Sequence, residues 1–482
     1  MIKYVLLLLP LFARAGEDYK ASLFGIRSDG STLNTRSIQY AVDYINNKGG
    51  GTLVFEVGRY ITGSIHLKSN VCIELKEGAV LVGSLNPFDY DKNGFTALLL
   101  ADSQQNITIT GKGIIDGQGR QVAANIVALV HGGVIKDPLV QDRPNETIRP
   151  MLIYFKSCSN VTIKNVTLKN AASWVETYDQ CQNLSIDSIH VYSKAYWNND
   201  GVDIVDCNHA SVTNCFIDAA DDGICLKSHS ASASCDNVLI HGCTIRSSAS
   251  AIKFGTASFG GFNHIRIIQN KVYDTYRSAV ALEAVDGGSI KDVVVDSLEA
   301  INTGNAIFIR AGNRNGNHTS SVSDIHLSNI SVEIATTKAD AGYEYEGPVE
   351  DEPRNISPMV FAGLPGVPLT GIHLSNITIT YPGGGNAFIA NRSLDALDSI
   401  PELPAKYPEF SMFKELPAWA LYIRHAKDVD MQQVTFTCAA KDYRTAVVLD
   451  DVQSANITAL TIKEPGNKKP VFQHNTKGIA IK

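Results

Sequence analysis

Residues 200–205, DGVDIV, recur 22 residues later as residues 222–227, DGICLK, and this repetition decides the fold. In each stretch a glycine is followed by apolar residues at alternate positions. The same pattern, with alanine in place of glycine, begins at residues 251, 279 and 306, so the five segments start 22 to 28 residues apart. Self-similarity at such a period is typical of a solenoid, in which each segment forms one strand of one coil.

The alternation assigns each side chain to one side of its strand, because residues two apart on a strand share a face. We expect the apolar pairs to stack inward as the core: Val202/Ile204, Ile224/Leu226, Ile252/Phe254, Val280/Leu282 and Ile307/Ile309. The intervening residues then face outward: Asp203 and Val205, Cys225 and Lys227, Lys253 and Gly255, Ala281 and Glu283, Phe308 and Arg310. The sequence therefore predicts a polar outer row beside the aspartates that precede the two glycines.

A second repeat, of cysteine and asparagine, marks another corner of the same coils. It occurs at residues 158–160 (CSN), 181–183 (CQN), 207–208 (CN) and 235–237 (CDN), and its asparagine returns at Asn263. Asparagine tolerates tight turns, and stacked amides can pair along the axis. The chain has nine cysteines. Four of them recur at this corner, and Cys215 and Cys243 recur at another coil position, which predicts a packed ladder of thiols, with a disulfide between neighbours as the alternative.

A short helix and two long excursions interrupt the coils. Ile38, Ala41, Val42 and Ile45 have helical spacing, which predicts a helix within an N-terminal cap at about residues 20–60. Stretches at about residues 339–368 and 382–417 are rich in Gly, Pro and acidic residues and exceed ordinary connections in length. If these stretches fold over the polar outer row, they would close one end of it.

The composition limits the functional classes. The 482 residues carry a net charge of -7, so nothing indicates nucleic-acid binding. Residues 1–15 combine Lys3, an apolar run and a small-residue end, which predicts a cleaved signal peptide and a secreted or periplasmic protein. No later stretch has the ~20 continuous apolar residues that a membrane span requires. We expect one domain over residues 16–482 and a monomer, since a solenoid grows by adding coils.

The two aspartate motifs offer the groups that glycoside hydrolysis needs. That reaction uses an acid for the leaving oxygen and a base for water, and inversion calls for carboxyl groups about 6.5–9.5 Å apart. Asp200 and Asp222 precede their glycines at the same position, so we expect them to be direct neighbours, with Asp221 displaced along the strand. Three clustered carboxylates cannot all ionise cheaply, so one of them should hold a proton near neutral pH.

These motifs occur together with residues 24–35 (FGIRSDGSTLNT), residues 111–119 (GKGIIDGQG), Arg149-Pro150 and Trp174. The combination resembles glycoside hydrolase family 28, the polygalacturonase family, over about residues 20–465. The resemblance implies an all-β fold, a single-stranded right-handed parallel β-helix, and inverting hydrolysis of α-linked pectic sugars without a metal or cofactor. It also implies that Asp221 is the acid and that Asp200 with Asp222 activates water.

The chain departs from the family pattern on the next two coils. Ser250-Ala251 stands where the family has Gly-His-Gly, and residues 281–283 (ALE) stand where it has Arg-Ile-Lys. The outward row offers Lys253 one coil earlier and Arg310 one coil later, each displaced by ~4.8 Å from the missing cations. We expect both to bind an anionic or hydroxyl-rich sugar, with Glu283 accepting hydrogen bonds from sugar hydroxyls. The alternative is a structural ion-pair ladder of these three side chains.

Asn198, Lys227 and Trp197 complete the expected substrate-binding set, with the Trp197 ring as a sugar-stacking surface. We expect hydrolysis of α-linked galacturonic acid or related sugars in pectic polysaccharides or oligosaccharides, with an exo mode favoured if the two excursions close one end of the substrate groove. Three alternatives stay open: a Ca²⁺-dependent lyase on a similar β-helix, an enzyme like an α-galactosidase, and a glycan-binding solenoid without catalysis.

Overall fold

The computed structural model describes residues 16–138, 142–316, 318–337, 339, 357–390, 392–466 and 470–482. The expected signal segment, residues 1–15, lies outside this part of the chain. The described strands pair in one continuous stack, and all but one short pairing are parallel. The chain forms a right-handed parallel β-helix, as expected, with three faces that we call face 1, face 2 and face 3.

Face 1 follows the turn that carries the aspartate motifs. Its separate strands are Ile65–His66, Phe95–Asp102, Met151–Lys156, Glu176–Asp179, Val202–Val205, Ile224–Ser228, Ile252–Ser258, Met359–Ala362 and Val471–His474. The short strand Lys92–Asn93 pairs antiparallel to Phe95–Asp102.

Face 2 follows face 1 in each coil. Its separate strands are Glu17–Lys20, Gly51–Phe55, Val71–Leu75, Gln105–Gly111, Ser159–Lys164, Gln182–Asp187, Asn208–Thr213, Cys235–His241, Gly261–Ile268 and Lys477–Ile481.

Face 3 follows face 2 and leads back to face 1. Its separate strands are Asp29–Leu33, Gly58–Thr62, Ala79–Gly83, Ile114–Asp116, Thr167–Lys169, His190–Ser193, Phe216–Ala219, Thr244–Ser247 and Thr461–Lys463. In later coils long strands run around the corners and contribute to two or three faces: Lys271–Ala284, Ser289–Ala311, Ser321–Ile334, Leu369–Tyr381, Ala418–Cys438 and Thr445–Thr458.

The helices are few and short. The expected capping helix is Thr35–Asn47, and the four residues with helical spacing are its buried ones, packed towards the strand Gly51–Phe55. A second helix, Gly119–His131, follows the strand Ile114–Asp116 of face 3. The 3₁₀ turns are Ala21–Phe24, Pro87–Asp89, Glu146–Ile148, Ala387–Ile389 and Leu394–Ser399. No helix of the described residues is long and apolar enough to cross a membrane.

The register of the five face 1 segments is the one the sequence predicts. Val202 pairs with Ile224, Ile224 with Ile252, Ile252 with Val280, and Val280 with Ile307. These side chains and their partners two residues on are buried in the core. The stacked apolar pairs therefore form the continuous interior of the β-helix, and they fix which residues point outward.

The outward row is not an open polar surface, which corrects the sequence interpretation. Lys253 is 2% exposed and Arg310 1% exposed. The reason is the excursion at residues 394–416, whose apolar side chains pack on Ala281 and Phe308 of face 1. Of the other expected excursion, residues 340–356 lie outside the described residues.

The asparagine ladder is present, with one shift of register. Asn160 donates to Asn106 at 3.0 Å, and Asn183 donates to Asn160 at 3.1 Å. In the next coil the left-handed turn position is taken by His209, with φ 57°, and not by Asn208. Histidine can occupy this position because it is among the residue types that tolerate positive φ.

The cysteines form the expected ladder of thiols. All nine are unbridged, and eight of them are buried. The Cys207 thiol donates to the carbonyl of Tyr178 at 3.1 Å, and the Cys235 thiol donates to that of Ile204 at 3.3 Å. Each thiol thus bonds to the backbone of a preceding coil, which gives these cysteines a packing role.

Candidate active site

The three aspartates lie at the turn from face 3 to face 1 in two successive coils. Gly201 N–H donates to the carbonyl of Asp222 at 2.9 Å, which places Asp200 and Asp222 side by side. Glycine is required here because the backbone of the next coil lies very close: a Cβ on Gly201 would lie 2.5 Å from the carbonyl oxygen of Gly223. The DG motif is therefore a packing requirement as well as a carrier of carboxylates.

The carboxylates form one tight cluster. Asp200, Asp221 and Asp222 each offer an oxygen, and these oxygens all lie within 4.8 Å of one another. Asp200 is 5% exposed and Asp222 is 4% exposed. The oxygens are closer than the carboxyl separation of about 6.5–9.5 Å usual for inverting enzymes. The separation of the whole carboxyl groups, on which the sequence argument for inversion relied, stays a prediction.

Two lysines neutralise this cluster. Lys227 Nζ donates to Asp200 at 3.0 Å and to Asp203 at 2.5 Å, and it lies 4.7 Å from the centre of the Trp174 ring. Lys253 Nζ lies 3.0 Å from Asp222 Oδ2 and donates to the Tyr407 hydroxyl at 2.9 Å. The sequence predicted that both lysines bind the substrate, whereas the structure shows each of them paired with an aspartate of the site.

The three aspartates differ in their affinity for a proton. Burial, and then the charges of Asp200 and Asp222, raise the pKa of Asp221 to about 7. Burial acts to raise the pKa of Asp222 as well, but the charges of Lys253, Lys227 and Arg277 outweigh it, so this pKa is lowered. Burial raises the pKa of Asp200 against the opposing charge of Lys227. Near neutral pH the cluster therefore offers a protonated acid, Asp221, beside an ionised carboxylate, Asp222.

The comparisons with known proteins agree with this geometry. A model of the family described as "Glycosyl hydrolases family 28" matches residues 54–272. A solved chain from Parabacteroides merdae, a candidate glycosyl hydrolase, is 42% identical and covers 47% of this chain and 95% of its own, with a TM-score of 0.42. The chain belongs to glycoside hydrolase family 28. It is therefore a glycosidase.

Other family members are more distant. A protein from Vitis vinifera named "Probable polygalacturonase" is 26% identical over 75% of this chain and 74% of its own length. The family 28 exopolygalacturonase of Yersinia enterocolitica is 17% identical, with a TM-score of 0.59 over 96% of this chain and 78% of its own. At that identity the Yersinia structure supports the fold alone.

Arg277 is a residue near the cluster that the sequence interpretation missed. Its N–H donates to the carbonyl of Ala249 at 2.8 Å, and its charge acts to lower the pKa of both Asp221 and Asp222. Its guanidinium lies 6.0 Å from the centre of the Tyr407 ring, and its Nε is 3.4 Å from Glu409. The repeat register could have predicted this position, because Arg277 lies two residues before Ala279 just as Asp221 lies two residues before Gly223.

Asn198 and Trp197 are held by arginines. Arg149 donates to the carbonyl of Trp197 and to Asn198 Oδ1, each at 2.7 Å. Arg143 also donates to Asn198 Oδ1, at 2.9 Å, and its guanidinium lies 4.9 Å from the centre of the Trp197 ring. The Arg149 side chain is itself buried. These contacts fix the turn that presents Asp200, and they cover part of the ring that was expected to stack on a sugar.

Glu283 and Arg310 lie beneath the excursion. Arg310 donates to the backbone carbonyls of Gly363, Glu402 and Leu403 at 3.0, 2.6 and 3.3 Å. Burial raises the pKa of Glu283 to about 8, so this side chain is largely neutral at pH 7. Arg310 is thus a support for the excursion, which corrects its assignment to a sugar, and Glu283 is 2% exposed.

Within the part of the chain that the structure describes, two groups of side chains are close enough to hold a metal ion. They are Asp200, Asp203 and Cys225, and the three aspartates of the cluster. Lys227 Nζ bonds to all three members of the first group, with Cys225 Sγ at 3.0 Å. Its ammonium supplies the positive charge that a metal would bring there, so the first group fits a lysine rather than a resident metal ion.

Proposed function

We propose that this glycosidase removes α-linked galacturonic acid or a related acidic sugar from pectic chains, with inversion and by an exo mode. The observation that carries the proposal is the tight cluster of Asp200, Asp221 and Asp222, in which the pKa of Asp221 is raised to about 7 and that of Asp222 is lowered. Glycoside hydrolysis needs this pair of opposite protonation states. The name of the Vitis vinifera relative supports the choice of substrate.

The proposed reaction gives each carboxyl group one role. Asp221 gives its proton to the glycosidic oxygen as the bond from that oxygen to the anomeric carbon breaks. Asp222, with Asp200 beside it, accepts a proton from a water molecule whose oxygen attacks the anomeric carbon on the opposite face. The product would be a β-configured sugar, and both aspartates would return to their starting states by exchanging protons with solvent. Inversion rests on the family resemblance rather than on the oxygen separation in the cluster.

Recognition of an acidic sugar is supported by Arg277. Lys227 and Lys253 are each paired with an aspartate of the site, whereas Arg277 is paired with Glu409 of the excursion and its charge acts on Asp221 and Asp222. Arginine binds carboxylates through paired N–H groups. We propose that Arg277, with the Tyr407 hydroxyl near it, contacts the carboxylate of the sugar.

The exo mode is supported by the excursion. Residues 394–416 pack on face 1, and from this segment Tyr407 contacts Lys253 while Glu409 approaches Arg277. A segment placed beside the catalytic cluster would leave room for only the end of a chain. We also propose that residues 1–15 direct export to a secreted or periplasmic location, and that residues 16–482 act as a single-domain monomer.

The test is product analysis with matched aspartate variants. The wild-type protein, Asp221→Asn, and Asp236→Asn as a control outside the site would be incubated with galacturonate oligomers and with neutral α-galactosides. We expect the wild type and the control to release single β-configured acidic sugars, seen by NMR, and Asp221→Asn to release none. Internal cleavage would refute the exo mode, α-configured products would refute inversion, and unsaturated products absorbing in the ultraviolet would identify a lyase. Cleavage of the neutral substrates alone would refute the acidic specificity.

A further inference from the structure

A cavity lies on face 3, and it is lined by residues outside the catalytic cluster. Its volume is about 550 Å³, within the roughly 300–1,000 Å³ typical of small-molecule sites. The lining residues are Arg120, Gln121, Lys169, Asn170, Tyr192, Lys194, Ala195 and Asp218. Three cations and one carboxylate thus face one cavity, on a chain whose net charge is -7.

The single carboxylate of the cavity is already neutralised. Asp218 pairs with Lys194 at 3.0 Å and with Arg246, from the next coil, at 3.3 Å. Lys169 lies one coil before Tyr192, with its ammonium 5.7 Å from the centre of the Tyr192 ring. The cations that line the cavity thus outnumber the carboxylates that line it, three to one.

An aromatic surface lies beside these cations. Tyr192 is 41% exposed, which is high for a large ring, and it packs against Phe216 with ring centres 5.2 Å apart. A supported, half-exposed ring offers an apolar surface for the C–H face of a sugar, and the adjacent cations suit a carboxylate on that sugar. Cations and an aromatic ring in one cavity are the combination that a uronic-acid unit would use.

We propose that this cavity is a second binding site for acidic saccharides, lined by residues other than the catalytic aspartates. The inference rests on the proposed function, because it takes its ligand class from the acidic substrate. The lining residues Lys194 and Ala195 belong to the same turn as Asp200, between the strands His190–Ser193 and Val202–Val205. The bound saccharide is either a distant part of the chain that is being cleaved or a separate chain.

Calorimetry on the full-length Asp221→Asn protein tests the proposal without hydrolysis. We expect a galacturonate trimer to bind at two sites per protein, and Lys169→Glu or Tyr192→Ala, added to Asp221→Asn, to abolish one of them. Lys271→Glu is the matched control, since this exposed lysine is also on face 3 but outside the cavity. Binding of one long oligomer per protein, with an affinity that Lys169→Glu lowers at least about tenfold, would show that a single chain spans both sites. Two long oligomers per protein would show separate chains.

The failures of the two proposals are distinguishable. A single trimer site that Lys169→Glu and Tyr192→Ala leave unchanged, in a protein whose wild type cleaves galacturonate oligomers, overturns the second site alone. If a neutral galactose trimer binds at the second site as tightly as the galacturonate trimer, the proposal that this site recognises acidic saccharides is overturned. If no galacturonate oligomer is bound or cleaved, the proposed function fails and the second site fails with it. Thermal unfolding of each variant shows that a lost site is not a lost fold.

Discussion

Asp221→Asn should stabilise the protein above pH 7 while it abolishes activity. The pKa of Asp221 rises from 3.8 to about 7 in the folded protein, so between these values the folded state binds a proton that the unfolded state releases. The contribution of Asp221 to stability is therefore greatest below pH 4, falls as the pH rises, and levels off above pH 7. Three pKa units at 1.36 kcal/mol each give a loss of about 4 kcal/mol. Asparagine does not ionise and keeps the oxygen that accepts from Asp222 N–H at 3.0 Å.

The assay is urea unfolding of wild type and variant at a series of pH values. We expect the two free energies of unfolding to agree near pH 4 and the variant to be more stable by up to about 4 kcal/mol at pH 8. Asp222→Asn is the matched variant, and it should do the opposite, because it leaves Lys253 buried without its carboxylate. Breaking such a pair costs about 3–5 kcal/mol. A stability difference for Asp221→Asn that does not change with pH, or that favours the wild type at pH 8, would refute the protonation of Asp221.

Three further outcomes follow from the same contacts. The ratio kcat/KM should fall about tenfold per pH unit above pH 7, because only protonated Asp221 can act as the acid; a flat profile to pH 9 would contradict this. Incubation with a chelator should leave activity unchanged, because Lys227 supplies positive charge beside Asp200; activity that metal restores would contradict this. Arg277→Gln should raise KM for acidic oligomers, whereas Arg310→Gln should lower the free energy of unfolding with little change in KM; the reverse pattern would contradict our placement of the two arginines.

The sequence predicted the β-helix and its register because both depend on local periodicity. The pairing of Val202 with Ile224, and of Ile224 with Ile252, follows from small residues placed at fixed spacing before alternating apolar ones. The capping helix was equally predictable, since its four apolar residues are the ones it buries. The neighbouring positions of Asp200 and Asp222 follow from the same register.

The surroundings of the site were less predictable because they depend on a segment without periodicity. Residues 394–416 cover the outward row, and Tyr407 reaches Lys253 from 154 positions away in the sequence. Nothing in the spacing of either segment indicates this contact. The register showed where Arg310 points, but not that backbone carbonyls of the excursion would take up its guanidinium.

The site neutralises its own buried aspartates, and this limits which cations can bind an acidic sugar. Lys227 and Lys253 balance the buried aspartates, and a buried charge that lost its partner would be costly. These lysines therefore cannot turn to an incoming carboxylate without exposing Asp200 or Asp222 to that cost. Recognition of an acidic sugar must then depend on cations outside these pairs, namely Arg277 beside the cluster and the lysines of the face 3 cavity. Because the cations typical of the family are missing, binding of an acidic sugar depends on these other cations, including those of the proposed second site.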